Sequence, residues 1–288
     1  MSFSSEIKEK LSKIKGGCSA CSLYELSGFM GNVLRVFQDK ITIATENEPV
    51  AKKMVDIIKK RYKKDISLEY AKNIYRAEIT DKVLASKIIE DTKYLKRELK
   101  TERDCCQKSY IRGAFLGGGS INNPQKSYHL EFDYKFLEQA EKLKEMLLSL
   151  GIFVRVTKRK GHTVLYIKEY EAIADVLGLI GAGGAAIEIY NISAEKELRN
   201  EINRQMNCEN ANMDRIASAY CRHLKAIEKI ERTIGLAKLP DNLREAAEIR
   251  KQYPEDGLKD LGMKFKKPIG KSGVNHRLNK IIEIADNL

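Results

Sequence analysis

Residues that could carry chemistry fall into three groups: paired cysteines, glycine-rich runs and a polar C-terminal segment. Cys18-Ser-Ala-Cys21 and Cys105-Cys106 each stand seven residues, counted from the second cysteine, before a glycine, Gly28 or Gly113. Cys-x-x-Cys is a zinc or redox spacing. Adjacent cysteines chelate one ion poorly, however, and no second Cys-x-x-Cys is present. Free buried thiols are therefore expected, with no metal and no cofactor. Gly117-Gly-Gly-Ser120 lacks the Lys-Ser/Thr ending of a phosphate loop. Gly181-Ala-Gly183-Gly184-Ala-Ala186 mimics a dinucleotide fingerprint but follows a helical segment instead of a strand, so it reads as a domain linker. His129 and His162 have no nucleophile beside them in sequence, which makes structural roles the expectation. No catalytic residue is assigned.

The third group is of another kind. In the last segment Val274, Leu278, Ile281 and Ala285 recur at helical spacing. The opposite face then carries Ser272, His276, Asn279 and Lys280, with Asn275 and Arg277 on its flanks. Amide, imidazole and ammonium groups suit base edges and phosphates. Lys259, Lys264, Lys266, Lys267 and Lys271 lie just before or at the start of this helix, where they can flank a nucleic-acid backbone. The whole chain has 288 residues and a formal charge of +12, which makes nucleic acid the first partner to consider and an anionic membrane surface the second. Its 43% hydrophobic content excludes disorder along the full length, and 19 Gly with 5 Pro exclude collagen-like or mucin-like chains. No signal peptide or membrane span is read; the most apolar stretch, Ala172–Tyr190, contains Asp175, Glu188 and four glycines.

The elements around these groups form a repeat. An opening helix carries Ile7, Leu11 and Ile14, is capped by Ser4-Ser5 and is stopped by Gly16-Gly17. A small-residue helix around Gly28 follows, then strands at Val33–Phe37 and Lys40–Thr45 joined at Gln38-Asp39. A basic helix from Glu48 to Tyr62, strands at Ile66–Ala71 and Ile74–Ile79, and a helix from Asp81 to about Tyr94 complete the unit. The second hundred residues replay this order. They give a glycine helix around Gly113, a strand at Tyr128–Phe132, a helix at Tyr134–Leu150, strands at Phe153–Thr157 and Val164–Lys168, and a helix at Tyr170–Leu179. Glycine weakens a helix, so its recurrence implies two helices packed backbone to backbone. Lys52, Lys53, Lys59, Lys60, Arg61, Lys63 and Lys64 form one basic run; Arg155, Lys158, Arg159 and Lys160 form another at a strand turn, with Lys135, Lys142 and Lys144 nearby in sequence. The latter turn supplies candidate phosphate contacts, weighed evenly against an ordinary solvated face. Beyond Gly184 the pattern is all-helical, with an apolar stripe through Asn212–Ile234 and three short helices after Pro240. Pro254 stops the first, Asp256 caps the second and Ser272 caps the third.

Two glycine helices with strands on either side resemble the LAGLIDADG homing endonuclease fold over roughly residues 1–190. In that family each such helix ends in a metal-binding acid. Aligning Leu26-Ser-Gly28-Phe-Met-Gly-Asn-Val33-Leu34 and Ile111-Arg-Gly113-Ala-Phe-Leu-Gly-Gly118-Gly119 with its motif places Val33 and Gly118 at the acid positions. Neither binds a hard cation. The resemblance therefore implies a retained fold and a lost nuclease. Five further strings resemble the WhiA family of bacterial sporulation and cell-division regulators: Leu239-Pro-Asp-Asn-Leu-Arg-Glu-Ala-Ala247, Lys271-Ser-Gly-Val-Asn-His-Arg-Leu278, Arg112-Gly-Ala-Phe-Leu116, Lys126-Ser-Tyr-His-Leu-Glu131 and Asn207-Cys-Glu-Asn-Ala-Asn212. Cys18 and Cys21, separated by two residues, depart from the adjacent cysteines of that family's first repeat.

The expected architecture is α+β: a two-repeat LAGLIDADG-like saddle at 1–190 (repeats about 18–94 and 105–180), a linker at 191–210, and an all-α helix-turn-helix domain at 211–288. The resemblance implies a non-enzymatic, sequence-specific binder of double-stranded DNA in transcription control, cell division and chromosome segregation. A protein regulator or RNA polymerase is a further candidate partner, and a cytoplasmic, nucleoid-associated location follows. The alternatives are a maturase-like RNA-binding or splicing protein and an active DNA endonuclease.

Overall fold

The computed structural model describes residues 2–33, 35–37, 40–92 and 103–288. The expected turn at Gln38-Asp39, Leu34 of the first motif, and the expected helix end at Tyr94 lie outside them. The chain divides into two compact units, Met1–Lys196 and Glu197–Leu288.

In the first unit α1 (Phe3–Ser12) is capped by Ser2, whose Oγ accepts from the Ser5 amide at 3.2 Å. The cap is thus Ser2 instead of Ser4-Ser5, and the helix ends before Gly16-Gly17. Then come α2 (Cys21–Val33), β1 (Arg35–Phe37), β2 (Lys40–Thr45), α3 (Glu48–Tyr62), β3 (Leu68–Ala71), β4 (Ile74–Ile79) and α4 (Lys82–Asp91). The second repeat runs α5 (Asp104–Gly118), β5 (Gly119–Ile121), β6 (Leu130–Tyr134), α6 (Leu137–Ser149), β7 (Arg155–Arg159), β8 (His162–Ile167) and α7 (Tyr170–Ile180). Strand β5, three residues directly after a glycine helix, was not expected; it is too short to show a period. Each repeat forms one antiparallel sheet, in the orders β1-β2-β4-β3 and β5-β6-β8-β7. Identical strand order confirms the repeat. Alternation does the positioning: Ile41, Ile43, Ala77 and Ile79 of one sheet, and Leu130, Phe132 and Tyr134 of the other, point into one core.

Helices α2 and α5 are the centre of that core. A Cβ on Gly28 would lie 2.0 Å from Tyr110 O, and one on Gly113 would lie 1.9 Å from Glu25 O. Only glycine permits this approach. Several polar side chains of the seam pair with one another. Glu25 receives Arg112 Nε at 3.1 Å and Lys53 Nζ at 2.5 Å, while Arg112 also donates to Ser109 Oγ and to Ile180 O.

Gly181 ends α7 in the left-handed region (φ +99°), and α8 (Gly183–Thr233) starts two residues later. The glycine run lies at the turn between α7 and α8, and residues 191–210, expected as the linker, lie within α8. In the second unit Ala226, Ile227 and Ile230 of α8 join the core of α9 (Asp241–Gln252), α10 (Leu258–Met263) and α11 (Lys271–Asp286), after a 3₁₀ turn at Leu236–Lys238. Among the described residues no helix is long and apolar enough to cross a membrane.

Candidate nucleic-acid interface

The C-terminal motif is built from the apolar stripes upward. Leu243, Ala246, Ala247 and Ile249 of α9, Leu261 of α10 and the stripe Val274, Leu278, Ile281 and Ala285 of α11 are all buried together. Gly257 and Gly270 stand at the N-cap positions of α10 and α11, with no side-chain cap on either helix; Asp256 and Ser272 do not serve as caps. Position 262 admits only glycine, because a Cβ there would lie 2.2 Å from Ile269 O. The same contact carries the Ile269 amide to Gly262 O at 3.0 Å, closing the turn between α10 and α11. Glu245 of α9 clamps this turn: its carboxylate accepts from the Lys266 amide at 2.7 Å and lies 3.8 Å from the Arg277 guanidinium. Sequence patterning did not single out Gly262 or Glu245. A glycine inside a six-residue helix was the available signal, since it destabilises such a helix unless something must approach closely.

The predicted contact residues divide by what already engages them. Arg277 stacks over Phe265 at 4.9 Å besides its pairing with Glu245, so it holds α11 to its neighbours. Lys264 lies over Tyr253 at 3.9 Å and 3.4 Å from Asp256, and Lys280 pairs with Glu283 at 2.8 Å. Ser272, Asn275, His276 and Asn279 are exposed on α11, and Lys259, Lys266, Lys267 and Lys271 are exposed around its beginning. Among the described residues none of these eight side chains has an ion pair or hydrogen bond. The first turn of α11 contains no acid, so its positive dipole end adds to Lys271. Binding a phosphate or a base edge there breaks no internal bond.

In the first unit the expected basic runs behave differently. Lys52, Lys60 and Lys64 pair with Glu48, Asp56 and Asp81, and Lys59 pairs with Asp65. Lys53 turns inward to Glu25, and Lys142 is buried over the Tyr110 ring. On strand β7 Arg155 pairs with Glu169 at 2.8 Å and Arg159 with Glu131 at 3.1 Å, while Lys158 and Lys160 are exposed without an ion pair among the described residues. His129 and His162 bond to Glu131 and Asp133.

Near the ends of the central helices Asn32, one residue before the aligned Val33, faces Gly118, the aligned position of the second helix. Asn32 Nδ2 donates to Ala114 O at 3.2 Å, and a Cβ on Gly118 would lie 2.6 Å from Asn32 Oδ1, which leaves no room for a side chain there. The adjoining cleft is lined by Lys8, Asn32, Glu46, Asn47 and Ser120, with Glu46 its single carboxylate among the described residues. Burial holds the Lys8 ammonium down at about 8, partly opposed by Glu46.

A paired-glycine-helix domain with two four-stranded sheets, followed by a helix-turn-helix, defines a LAGLIDADG-type scaffold joined to a module of DNA-binding type. The family model for the WhiA LAGLIDADG-like domain matches residues 107–199, and that for the WhiA C-terminal HTH domain matches residues 202–285. The chain is 38% identical over 310 residues to a probable cell division protein WhiA of Alkaliphilus metalliredigens, covering 99% of this chain and 98% of that one. It is 40% identical over 320 residues to the corresponding protein of Clostridium perfringens, covering 100% and 98%. The solved full-length DUF199/WhiA of Thermotoga maritima is 27% identical, covers 100% of this chain and 99% of its own, and superposes with a TM-score of 0.62. The chain belongs to the WhiA family.

Proposed function

We propose that this protein is a non-enzymatic regulator that binds double-stranded DNA through α11, in the service of cell division, transcription control and chromosome segregation. The observation that carries this reading is the unengaged polar face of α11. Asn275 and His276 sit in its first two turns, where a recognition helix meets base edges, and Lys266, Lys267 and Lys271 surround its start. Lys158 and Lys160 of the first unit add sequence-independent grip on phosphates. The Asn32–Gly118 arrangement supports the loss of cleavage, because hydrolysis with two metals needs carboxylates on both helices. A protein regulator or RNA polymerase is the natural partner class for such a factor, and a nucleoid-associated position in the cytoplasm follows from DNA binding.

The test is a salt titration of duplex binding by the full chain. Affinity falls steeply with salt, by about 0.9 in log K per log salt for each phosphate neutralised. Substituting Lys266 and Lys267 by Ala weakens all sequences alike and flattens that slope; substituting Asn275 and His276 by Ala relaxes preference among sequences. Salt-independent binding, or metal-dependent nicking by rigorously purified protein, overturns the reading.

A further inference from the structure

Four thiols from distant parts of the sequence converge in the first unit. Cys18 lies in the loop before α2, Cys21 opens that helix, and Cys105 and Cys106 occupy the first turn of α5. Their Sγ atoms all lie within 4.8 Å of one another. Cys18 Sγ is 3.5 Å from Cys21 Sγ, 3.6 Å from Cys106 Sγ and 3.7 Å from Cys105 Sγ. The adjacency of Cys105 and Cys106, which argued against a shared ion in the sequence, is overcome because the loop brings Cys18 against both.

We propose that Cys18, Cys21, Cys105 and Cys106 bind one zinc ion as a closed tetrathiolate site that ties the first repeat to the second. Tetrahedral zinc with Zn–S near 2.3 Å requires sulfur–sulfur edges of about 3.8 Å. The three short separations are already close to that value, and the longest needs a shift of about 1 Å. The competing chemistries fit less well. A disulfide requires about 2.05 Å between sulfurs, and all four thiols are free. An iron–sulfur cluster places its thiolates on different irons and so spreads them wider than a single ion does. Ordinary buried thiols do not explain four sulfurs gathered together, of which Cys18 and Cys105 remain partly exposed.

The surroundings are shaped for the cluster. A Cβ on Gly16 would lie 2.3 Å from Cys21 Cβ, and one on Gly17 would lie 3.3 Å from Cys105 Cβ. Gly16-Gly17 therefore lets the loop close over the sulfurs, a role that replaces its expected one as a helix stop. Zinc with four thiolates carries a net charge of −2, and Cys21, Cys105 and Cys106 place it at the N-terminal ends of both α2 and α5, the favourable ends of their dipoles. On binding, four S–H bonds are replaced by four Zn–S bonds and the protons pass to solvent buffer, with no change of oxidation state.

The full chain, purified under reducing conditions without added metal, is expected to contain close to one zinc per molecule by elemental analysis. Replacement by Co²⁺ gives sulfur-to-cobalt charge-transfer bands and the intense red absorption of tetrahedral cobalt thiolate. Cys18→Ser and Cys105→Ser each weaken zinc retention by roughly tenfold or more against a chelator. Cys208→Ser with Cys221→Ser, two exposed thiols outside the cluster, leaves it unchanged. Where a cluster variant fails to fold, the unaltered chain decides: adding zinc to chelator-treated protein raises its melting temperature. Well under one equivalent of zinc together with no cobalt–thiolate band overturns the proposal. So does zinc content that survives both cluster substitutions, or a native disulfide among the four by mass spectrometry.

Discussion

Helices α2 and α5 in the first unit, and α10 and α11 in the second, both rely on glycine for close approach. Gly113 lies against Glu25 O and Gly262 against Ile269 O, each with no space for a Cβ. Their polar side chains are used in opposite ways. Along the first pair Glu25, Arg112, Ser109 and Lys53 form a closed set of internal bonds, and Asn32 bonds across the seam. Along α11 the interior is apolar, and Ser272, Asn275, His276 and Asn279 face outward unengaged. Polar residues that satisfy each other hold a structure; polar residues left unsatisfied at a surface are available to a partner. The paired-helix seam thus spends most of its polar side chains internally, with Asn32 Oδ1 and Tyr110 OH buried without a hydrogen-bond partner among the described residues, whereas the available groups lie on the exposed face of the terminal helix.

The largest effect that tests this contrast is Gly113→Ala. The added methyl meets a backbone carbonyl in a seam that cannot yield, so a loss above about 3 kcal/mol is expected, read as a lowered midpoint in denaturant unfolding followed by circular dichroism. A melt equal to that of the unaltered chain would show that α2 and α5 are less tightly joined than their backbones imply. Gly262→Ala sharpens the comparison, because it disturbs the turn before α11 and should abolish duplex binding.

A second effect comes from the interior of the second unit. His223 is buried, and among the described residues its Nδ1 has no hydrogen-bond partner. Burial, with Arg250 and Arg222 adding repulsion, holds its pKa down at about 4 from 6.5. Between those values the unfolded chain takes up a proton that the folded chain refuses. Stability is therefore full above pH 6.5 and declines as pH falls toward 4, by up to about 3 kcal/mol from this group. Carboxylates with depressed pKa values, Glu131 and Glu169 among them, lose stability in the same direction. The readout is accordingly the difference between the unaltered chain and His223→Gln in urea unfolding at pH 7 and pH 4.5. Equal slopes for the two would remove His223 as a source of acid sensitivity.

Much of the first unit was legible because its signals are periodic. The strand expected at Ile74–Ile79 coincides with β4, and glycine recurrence 85 residues apart located the paired helices and the repeat. What escaped depends on tertiary approach. Strand β5 pairs only because α5 delivers it beside β6. The glycines at 181–184 could end a helix, start one or form a linker, and local composition does not choose among these. Lys53 and Lys142 read as parts of exposed basic runs, yet their partners, Glu25 and the Tyr110 ring, come from other elements. The terminal stripe fixed which face of α11 is outward, but not that Arg277 would be held by Glu245 and Phe265.

That last distinction yields the smallest and most discriminating test. The sequence places Arg277 on a flank of the polar face of α11 and Lys267 just before that helix, both as candidate DNA contacts. In the structure Arg277 bridges α11 to Glu245 and stacks on Phe265, whereas Lys267 is exposed with no partner among the described residues. Arg277→Ala is expected to cost about 1 kcal/mol of folding stability through lost stacking and an ion pair stripped of one member. Lys267→Ala should leave the unfolding midpoint in place and reduce duplex affinity and its salt slope by about one phosphate's share. The two measurements separate a positioning cation from a contacting one. If both substitutions lower affinity alone and neither moves the melt, the clamp at Glu245 holds nothing, and Arg277 moves to the group of side chains that face a partner.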